Sequence, residues 1–271
     1  MAGVRPADKE PKPAADTYIL SYPKTGRTWL RALVGKALVD HYDLPPERVL
    51  ETDALTAMAG LPRAGFYHDG AAMIDALSWR ELDARKSSYR GKRVLLLGRD
   101  VRDTLVSAYF QATRRVDMFD GPIAAFVRDE RYGVEKVLAF YRQWDAARGV
   151  PDAFAFLRYE SMHAEPGTTL RTVLAFLGAD DMSERIIDDA IAFGAFDNLR
   201  QAEAEDRFKS HMLRTASNAD PESFKVRKGK IGGFRDYLAP EDVAYIDACE
   251  AERGCEFTRP AAAHPVAGEE R

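Results

Sequence analysis

Residues 18–40 read YILSYPKTGRTWLRALVGKALVD, and their character changes twice. The apolar run at 18–20 has the composition of a β-strand, and Pro23 and Gly26 then interrupt regular structure. From Thr28 onward, apolar residues recur at the spacing of an α-helix. A strand, a tight loop and a helix in this order direct backbone N–H groups and the positive end of the helix toward one point. The stretch therefore predicts a phosphate-binding loop.

The loop differs from the common nucleoside-triphosphate loop, which ends in Gly-Lys-Ser/Thr and places its lysine at the start of the helix. Here Lys24 precedes the glycine and lies within the loop itself. Thr25 and Thr28 can donate hydroxyl hydrogen bonds, and Arg27 adds positive charge. Trp29 supplies a flat face on which a base can stack. These residue types favour a phosphorylated nucleotide as the ligand.

A second candidate segment follows the apolar run Val94–Leu97, which is typical of a strand buried on both faces of a parallel sheet. Asp103 or Thr104 is expected to cap the helix after it. Arg99 stands at the end of the strand, and Ser107 comes eight residues later. Because the loop folds the helix start back over the strand, both side chains are expected to reach one pocket. There, arginine offers a planar fork for phosphate and serine one more donor.

A third segment, VRKGKIGGF at 226–234, carries three bases among three glycines. Glycines make a loop flexible and expose its N–H groups, which favours anion binding. This segment lies far along the chain from residues 85–115, which hold nine lysines and arginines. Two distant basic segments, each with a phosphate-type motif, predict a single anion pocket formed by both.

The composition of the 271-residue chain narrows its class. A net charge of −4 argues against a general nucleic-acid binder, and 46% hydrophobic residues suffice for a sizeable core. No apolar run approaches the roughly 20 residues that cross a bilayer, so no membrane partner is expected. Cys249 and Cys255 fit neither a disulfide framework nor a metal site. Reduced thiols in a cytoplasmic protein are therefore predicted.

The strand and helix patterns predict one α/β domain with a central parallel sheet flanked by helices. We expect this domain to span residues 17–256. Residues 1–16 are charged and contain three prolines, which predicts a disordered leader. Residues 257–271 are expected to form a loose C-terminal tail.

The motif YPKTGRTW at 22–29 resembles the 5′-phosphosulfate loop of the cytosolic-type sulfotransferases, which use 3′-phosphoadenosine 5′-phosphosulfate (PAPS). Arg99 and Ser107 match the arginine–serine pair that holds the donor's 3′-phosphate in that family. Residues 227–229 match the Arg-Lys-Gly part of its Arg-Lys-Gly-x-x-Gly-Asp-Trp signature. The three motifs occur in the family's order, and the resemblance spans roughly residues 17–240.

The chain departs from the family pattern at two places. Arg27 stands where the family usually has a small hydroxyl residue, and Gly233 and Phe234 replace the final Asp-Trp. The resemblance implies a fold like that of the P-loop nucleotide kinases. It also implies that the following residues bind the donor: Lys24, Thr25, Gly26, Arg27, Thr28, Trp29, Arg99, Ser107, Tyr159, Phe196, Arg227, Lys228 and Gly229.

Two of those residues are aromatic. Tyr159 ends a predicted strand, at the edge where ligands collect in open α/β sheets. The family places a tyrosine at this position beside the adenine. Phe196 resembles a family aromatic that lines the nucleotide pocket, although it could equally belong to the core.

Transfer of a sulfuryl group needs a leaving phosphate that is stabilised and an acceptor that loses a proton. Lys24 is the predicted electrophile. His68 is the predicted general base, because it falls between the first two motifs, where the family places its catalytic histidine. The family pattern is Lys-Thr-His, whereas Phe66 and Tyr67 precede His68 here, so that lysine is missing. Asp69 is a weaker alternative base, and the remaining histidines are assigned structural or surface roles: His41, His163, His211 and His264.

The predicted function is sulfuryl transfer from PAPS to a hydroxyl or amine of a small-molecule acceptor, which releases adenosine 3′,5′-bisphosphate (PAP) without a metal. The acceptor should contact the stretches near 47–80, 113–125 and 203–220, whose sequences do not identify it. A homodimer is possible. One alternative is a small-molecule or nucleoside kinase with Asp100 as a magnesium ligand, and another is a non-catalytic nucleotide-binding module. A different sulfate ester could also serve as the donor.

Overall fold

Four parallel strands form the centre of the protein. The computed structural model describes residues 14–210, 212–214 and 220–259. Its strands are β1 (Thr17–Ser21), β2 (Ala64–Tyr67), β3 (Arg93–Gly98) and β4 (Ala153–Arg158). Their order in the sheet is β2-β1-β3-β4, and each neighbouring pair is parallel. The predicted α/β class and parallel sheet are therefore confirmed.

Helices cover both faces of this sheet. Those in the described part of the chain are α1 (Arg27–Tyr42), α2 (Thr52–Met58), α3 (Val101–Arg114), α4 (Ile123–Phe126), α5 (Val134–Ala146), α6 (Tyr159–Ala164), α7 (Pro166–Leu177), α8 (Glu184–Phe193), α9 (Phe196–Ala204) and α10 (Pro240–Arg253). The first helix follows β1 after five residues, as the strand–loop–helix pattern predicted.

Alternate residues of the central strands enter two separate cores. Leu20 and Leu96 belong to the core that contains α3 and α5, whereas Ile19 and Leu95 belong to the core that contains α1 and α7. All four side chains are at most 1% exposed. A parallel strand covered on both faces must be apolar on both, which is why Val94–Leu97 reads as an uninterrupted hydrophobic run.

The ends of the domain differ slightly from the predicted boundaries. Ala15 is already buried, although it falls within the predicted leader, and residues 1–13 lie outside the described part of the chain. Phe257 is 1% exposed and packs against Phe156 with ring centroids 4.4 Å apart. It therefore belongs to the core and not to a loose tail, whereas residues 260–271 lie outside the description. None of the helices described is both long and apolar enough to span a membrane.

Candidate active site

The three segments predicted to bind anions meet at the carboxyl edge of the sheet. The loop before α1 follows β1, Arg99 follows β3, and Tyr159 follows β4. The basic segment 225–234 reaches the same edge from a distant part of the chain. All of them line one cavity of about 740 Å³. The predicted convergence on a common pocket is therefore present.

The loop between β1 and α1 has an unusual backbone. Lys24 and Gly26 both adopt left-handed conformations, with φ of 73° and 93°. Left-handed residues within a short loop can turn its N–H groups toward one point, as in an anion-binding nest. A Cβ on Gly26 would lie 2.5 Å from the Tyr159 ring, so this position requires glycine for space as well as for φ.

The two threonines of the loop have different roles. Thr28 lines the cavity, as predicted. The Thr25 hydroxyl instead donates to the Tyr22 carbonyl at 2.9 Å, and its side chain is fully buried outside the cavity lining. The hydroxyl therefore closes the turn in this structure and does not face the cavity, unlike that of Thr28. Only the backbone of Thr25 remains available to an anion.

The ammonium group of Lys24 lies deep in the cavity. Its Nζ is 3.4 Å from Oε1 of Gln111, a residue of α3 that the sequence had not singled out. Burial, together with the charges of Lys225 and Arg115, lowers the pKa of Lys24 well below its ordinary value. An anion placed beside this group would offset those causes, so the site is electrostatically prepared for one.

Arg99 joins the three segments. Its guanidinium donates to the carbonyls of Lys24 at 3.2 Å and Lys230 at 3.3 Å, and it stacks 4.3 Å from the ring centroid of Tyr159. Its buried Nε has no hydrogen-bond partner in the described part of the chain. Ser107 lines the same cavity, so the pair shares one pocket as predicted.

The start of α3 differs from the expectation. Asp100 is the N-cap and accepts from the backbone N–H groups of Arg102 and Asp103, so neither Asp103 nor Thr104 caps the helix. Ser107 consequently lies nearly two turns inside it. The Asp100 carboxylate also pairs with Arg102 at 2.6 Å, so its oxygens are occupied by the helix start and by this ion pair. The described residues contain no cluster of three or more potential metal ligands.

Two buried carboxylates attach the basic segment to the rest of the domain. Asp103 accepts from the N–H groups of Gly232 at 2.7 Å and Phe234 at 2.9 Å. Glu203 on α9 accepts from the N–H groups of Lys225 at 2.7 Å and Val226 at 2.9 Å. The segment is thus held at both ends, and its central residues face the cavity.

The residues of the Arg-Lys-Gly motif all line the cavity. Arg227 donates through Nη1 to Glu222 and Tyr237, both at 2.8 Å, which leaves the hydrogens of Nη2 and Nε for another acceptor. Lys228 is 3.3 Å from Asp236. A Cβ on Gly229, whose φ is 61°, would lie 2.8 Å from the Phe196 ring.

Aromatic rings form one wall of the cavity. Trp29, Tyr159 and His163 lie together, with centroids 4.6 to 5.9 Å apart. Phe196 also lines the cavity, with its ring against the basic segment at Gly229. His163 had been assigned a structural or surface role, but it lines the cavity because it lies one helical turn after Tyr159 on α6. This spacing is the signal that could have identified it.

His68 follows β2 and faces the cavity near the β1–α1 loop. Its Nδ1 lies 2.8 Å from the Ser21 carbonyl, so Nδ1 carries the hydrogen and Nε2 carries the lone pair. Burial, followed by the charge of Arg27, lowers its pKa well below 6.5. The ring is therefore neutral at neutral pH and able to accept a proton.

Asp69 cannot serve as the alternative base. Its carboxylate accepts from Lys86 at 2.7 Å, Tyr89 at 2.6 Å and Trp144 at 3.0 Å. This buried network fixes the backbone next to His68. Of the other histidines, His41 pairs with Asp181 away from the cavity, and His211 and His264 lie outside the described residues.

The cavity is strongly basic. Among the described residues its lining contains a single carboxylate, that of Asp103, and the following lysines and arginines: Lys24, Arg27, Arg99, Lys225, Arg227, Lys228 and Lys230. Lys225 immediately precedes the 226–234 segment and is not among the predicted donor contacts. Such a surplus of positive charge suits a ligand with several negative charges.

Comparison with known proteins gives concordant results. A family model described as "Sulfotransferase domain" matches residues 14–253. Cytosolic sulfotransferase 17 of Arabidopsis thaliana is 26% identical over 261 residues, which cover 88% of this chain and 74% of the relative.

Solved structures share the fold. Retinol dehydratase, solved with androsterone and the inactive cofactor PAP, superposes with a TM-score of 0.62 at 17% identity and covers 91% of this chain and 82% of its own. A mouse sulfotransferase complexed with PAP gives a TM-score of 0.60 at 20% identity, with coverage of 88% and 84%. At these identities the likeness establishes a common architecture.

Proposed function

Because this chain belongs to the sulfotransferase domain family, we propose that it transfers the sulfuryl group of PAPS to a hydroxyl or amine of a small-molecule acceptor and releases PAP. The observation that carries this proposal is the single basic cavity in which all three phosphate motifs meet beside a neutral histidine. The PAP complexes of the structural neighbours support the choice of nucleotide. Relatives named as cytosolic sulfotransferases support the predicted cytoplasmic location.

The cavity fits a doubly phosphorylated adenosine. Lys24 and the N–H groups of its loop would hold the 5′-phosphosulfate. Arg99, whose buried Nε lacks a partner within the described chain, would bind the 3′-phosphate together with Ser107 and the 227–229 turn. The adenine would contact three aromatic side chains: Trp29, Tyr159 and Phe196. A buried guanidinium N–H without an acceptor costs free energy. An anion bound at this site would accept that hydrogen bond and remove the cost.

His68 would act on the acceptor. In the transfer step, the bond from sulfur to the bridging phosphate oxygen breaks and a bond from sulfur to the acceptor oxygen forms. The acceptor proton passes to Nε2 of His68, which can take it because the Ser21 carbonyl already holds the hydrogen of Nδ1. Water then removes the proton from the imidazolium and restores the base.

Lys24 would stabilise the leaving group. Negative charge builds up on the bridging oxygen as its bond to sulfur breaks, and the ammonium group lies in the loop that follows β1. A preorganised charge in a water-poor cavity contributes more than the same charge in bulk water. Gln111 on α3 holds the ammonium in place at 3.4 Å.

The alternatives have less support. A kinase reading needs a magnesium-binding acid, but Asp100 is occupied by the start of α3 and by Arg102. A non-catalytic binding module would not need a cavity-lining histidine that the Ser21 carbonyl orients.

The test is a transfer assay with radiolabelled PAPS and a panel of phenols, alcohols and amines. We expect a labelled sulfate ester or sulfamate and PAP in equal amounts, with no dependence on magnesium. Phosphorylated product from ATP and magnesium would contradict the proposal, as would binding of PAP without transfer to any acceptor.

A further inference from the structure

More positive charge surrounds His68 than the donor motifs account for. Arg27 and Lys225 line the cavity near His68, and like Lys24 they have no carboxylate within 4.0 Å among the described residues. The remaining four basic side chains of the lining are each paired with an acid. Lys24 is assigned to the leaving phosphate. Arg27 is expected at the donor from the family resemblance, but its charge and that of Lys225 both act on His68, so both can also serve an acceptor held there.

A third cation lies behind them. Arg31 is one turn beyond Arg27 on α1 and only 8% exposed. Its guanidinium stacks 4.7 Å from the ring centroid of Phe66, two residues before His68. Within the described chain it forms no hydrogen bond and has no carboxylate within 4.0 Å. Arg31 does not line the cavity, and the charge of Asp53 partly offsets it, so its guanidinium adds positive potential near Arg27 and not a direct ligand contact.

Lys225 is held in place through both its side chain and its backbone N–H group. Its Nζ donates to the Met212 carbonyl at 2.8 Å, which leaves two ammonium hydrogens for a ligand. Glu203 does not neutralise it, because that carboxylate is paired with Arg115 at 3.2 Å and accepts the backbone N–H groups of 225 and 226. The ammonium is therefore positioned and electrostatically unsatisfied.

The neighbouring wall is apolar. Ala72, Met73 and Ile74 follow His68 along the chain, and Val116 lies two residues after α3; all four line the cavity. Ile74 is 70% exposed, so an apolar ligand would gain by covering it. These residues belong to two of the three stretches expected to contact the acceptor.

We propose, on the basis of the sulfotransferase function above, that the natural acceptor is an amphiphilic anion: an apolar scaffold with a hydroxyl that faces His68 and a carboxylate or sulfate that binds Arg27 and Lys225. The two cations provide one salt-bridged contact each at the acceptor side. They also reduce the repulsion between an anionic acceptor and the multiply charged donor.

Matched acceptor pairs test this assignment. We would compare 4-hydroxybenzoate with its methyl ester, and hydroquinone monosulfate with hydroquinone, under saturating PAPS. A hydrogen bond to a charged group contributes about 1.5–3 kcal/mol, so kcat/KM should favour each anionic member by about tenfold or more. Lys225→Met should abolish the preference, and Lys225→Arg, which keeps the charge, should retain it.

A pH series adds a second readout. Burial, then the charges of Arg115, Arg27 and Arg31, lower the pKa of Lys225 to about 7, against the opposing effect of Glu203. His68 and Lys24 also face it: His68 is neutral, and Lys24, whose own pKa is lowered by burial and by Lys225, is a further like charge. The lysine loses its charge as the pH rises through that value, so the wild-type preference for anions should decline above about pH 7. The Lys225→Arg variant should keep its preference to higher pH.

Equal or better use of the neutral members would overturn the assignment. So would a Lys225→Met variant that weakens PAP binding as much as it weakens use of the anions, because the lysine would then serve the donor. If PAP binds but neither acceptor pair is turned over, we would measure the thermal shift of the enzyme–PAP complex with each member of a pair. Equal stabilisation by the anionic and the neutral member would refute the proposal. Failure to bind PAP at all would instead refute the sulfotransferase function.

Discussion

At the scale of single residues, His68 is prepared for one proton transfer. The Ser21 carbonyl fixes its tautomer, and burial among arginines keeps the ring neutral. The sequence could identify this histidine, because it stands between two phosphate motifs at a predicted strand end. The sequence could not show which carbonyl orients the ring, nor that the Asp69 carboxylate is already hydrogen-bonded to other side chains. Both features depend on contacts between distant parts of the chain.

We predict that His68→Asn lowers kcat by about 100-fold or more, the usual contribution of a general base. The PAP dissociation constant should stay within about threefold, because the imidazole touches the acceptor and not the nucleotide. The wild-type pH profile of kcat should fall on the acid side only below pH 6.5, the ordinary histidine value, and the variant should lose this limb. Steady-state kinetics and calorimetry measure both.

His41→Asn is the matched control, since His41 pairs with Asp181 outside the cavity. It should turn over like the wild type. An unchanged kcat in His68→Asn would remove the histidine from the mechanism.

At the scale of elements, the site depends on two loops. Gly26 allows the left-handed turn of the loop before α1. The carboxylates of Asp103 and Glu203 hold the basic segment through its backbone N–H groups. Local sequence predicted the strand, loop and helix at 17–42, because propensity and turn residues agree there. The start of α3 was less predictable, since three nearby residues, Asp100, Asp103 and Thr104, are of types that cap helices. Asp103 is unavailable as a cap because it binds Gly232 and Phe234, 129 and 131 residues away. Long-range contacts of this kind also place Lys225.

We predict that Gly26→Ala disrupts the donor loop. The new Cβ would approach the Tyr159 ring to 2.5 Å at a φ of 93°, so the ring or the loop must move. PAP affinity should fall by at least about tenfold, and the free energy of unfolding should drop by about 1–3 kcal/mol. Calorimetric titration and urea unfolding measure the two effects.

Gly60→Ala is the control that has backbone strain without a steric clash. Gly60 has a φ of 71°, and the space around its Cβ position is open. It should lose about 1 kcal/mol of stability and bind PAP normally. Wild-type PAP affinity in Gly26→Ala would show that the loop does not hold the donor.

At the scale of the whole molecule, the topology brings the motifs together. Strands β1, β3 and β4 are adjacent and parallel, so the residues that follow them share one edge. This adjacency was predictable, since sequential phosphate motifs after buried strands imply it. The position of segment 225–234 was not, because its contacts come from Asp103 and Glu203. The proposed acceptor side combines Arg27, which belongs to the 22–29 motif, with the 72–74 stretch and Lys225, which carry no motif.

The central claim is that one cavity binds both phosphates of PAP, and calorimetric titration of PAP against 5′-AMP tests it most directly. Wild-type protein should bind PAP at least about tenfold more tightly than 5′-AMP, since the extra phosphate gains charge-assisted contacts. Arg99→Met should erase most of that ratio, whereas Arg80→Met, an exposed control paired with Glu130, should preserve it. Equal affinity of wild-type protein for PAP and 5′-AMP, or an unchanged ratio in Arg99→Met, would contradict the account.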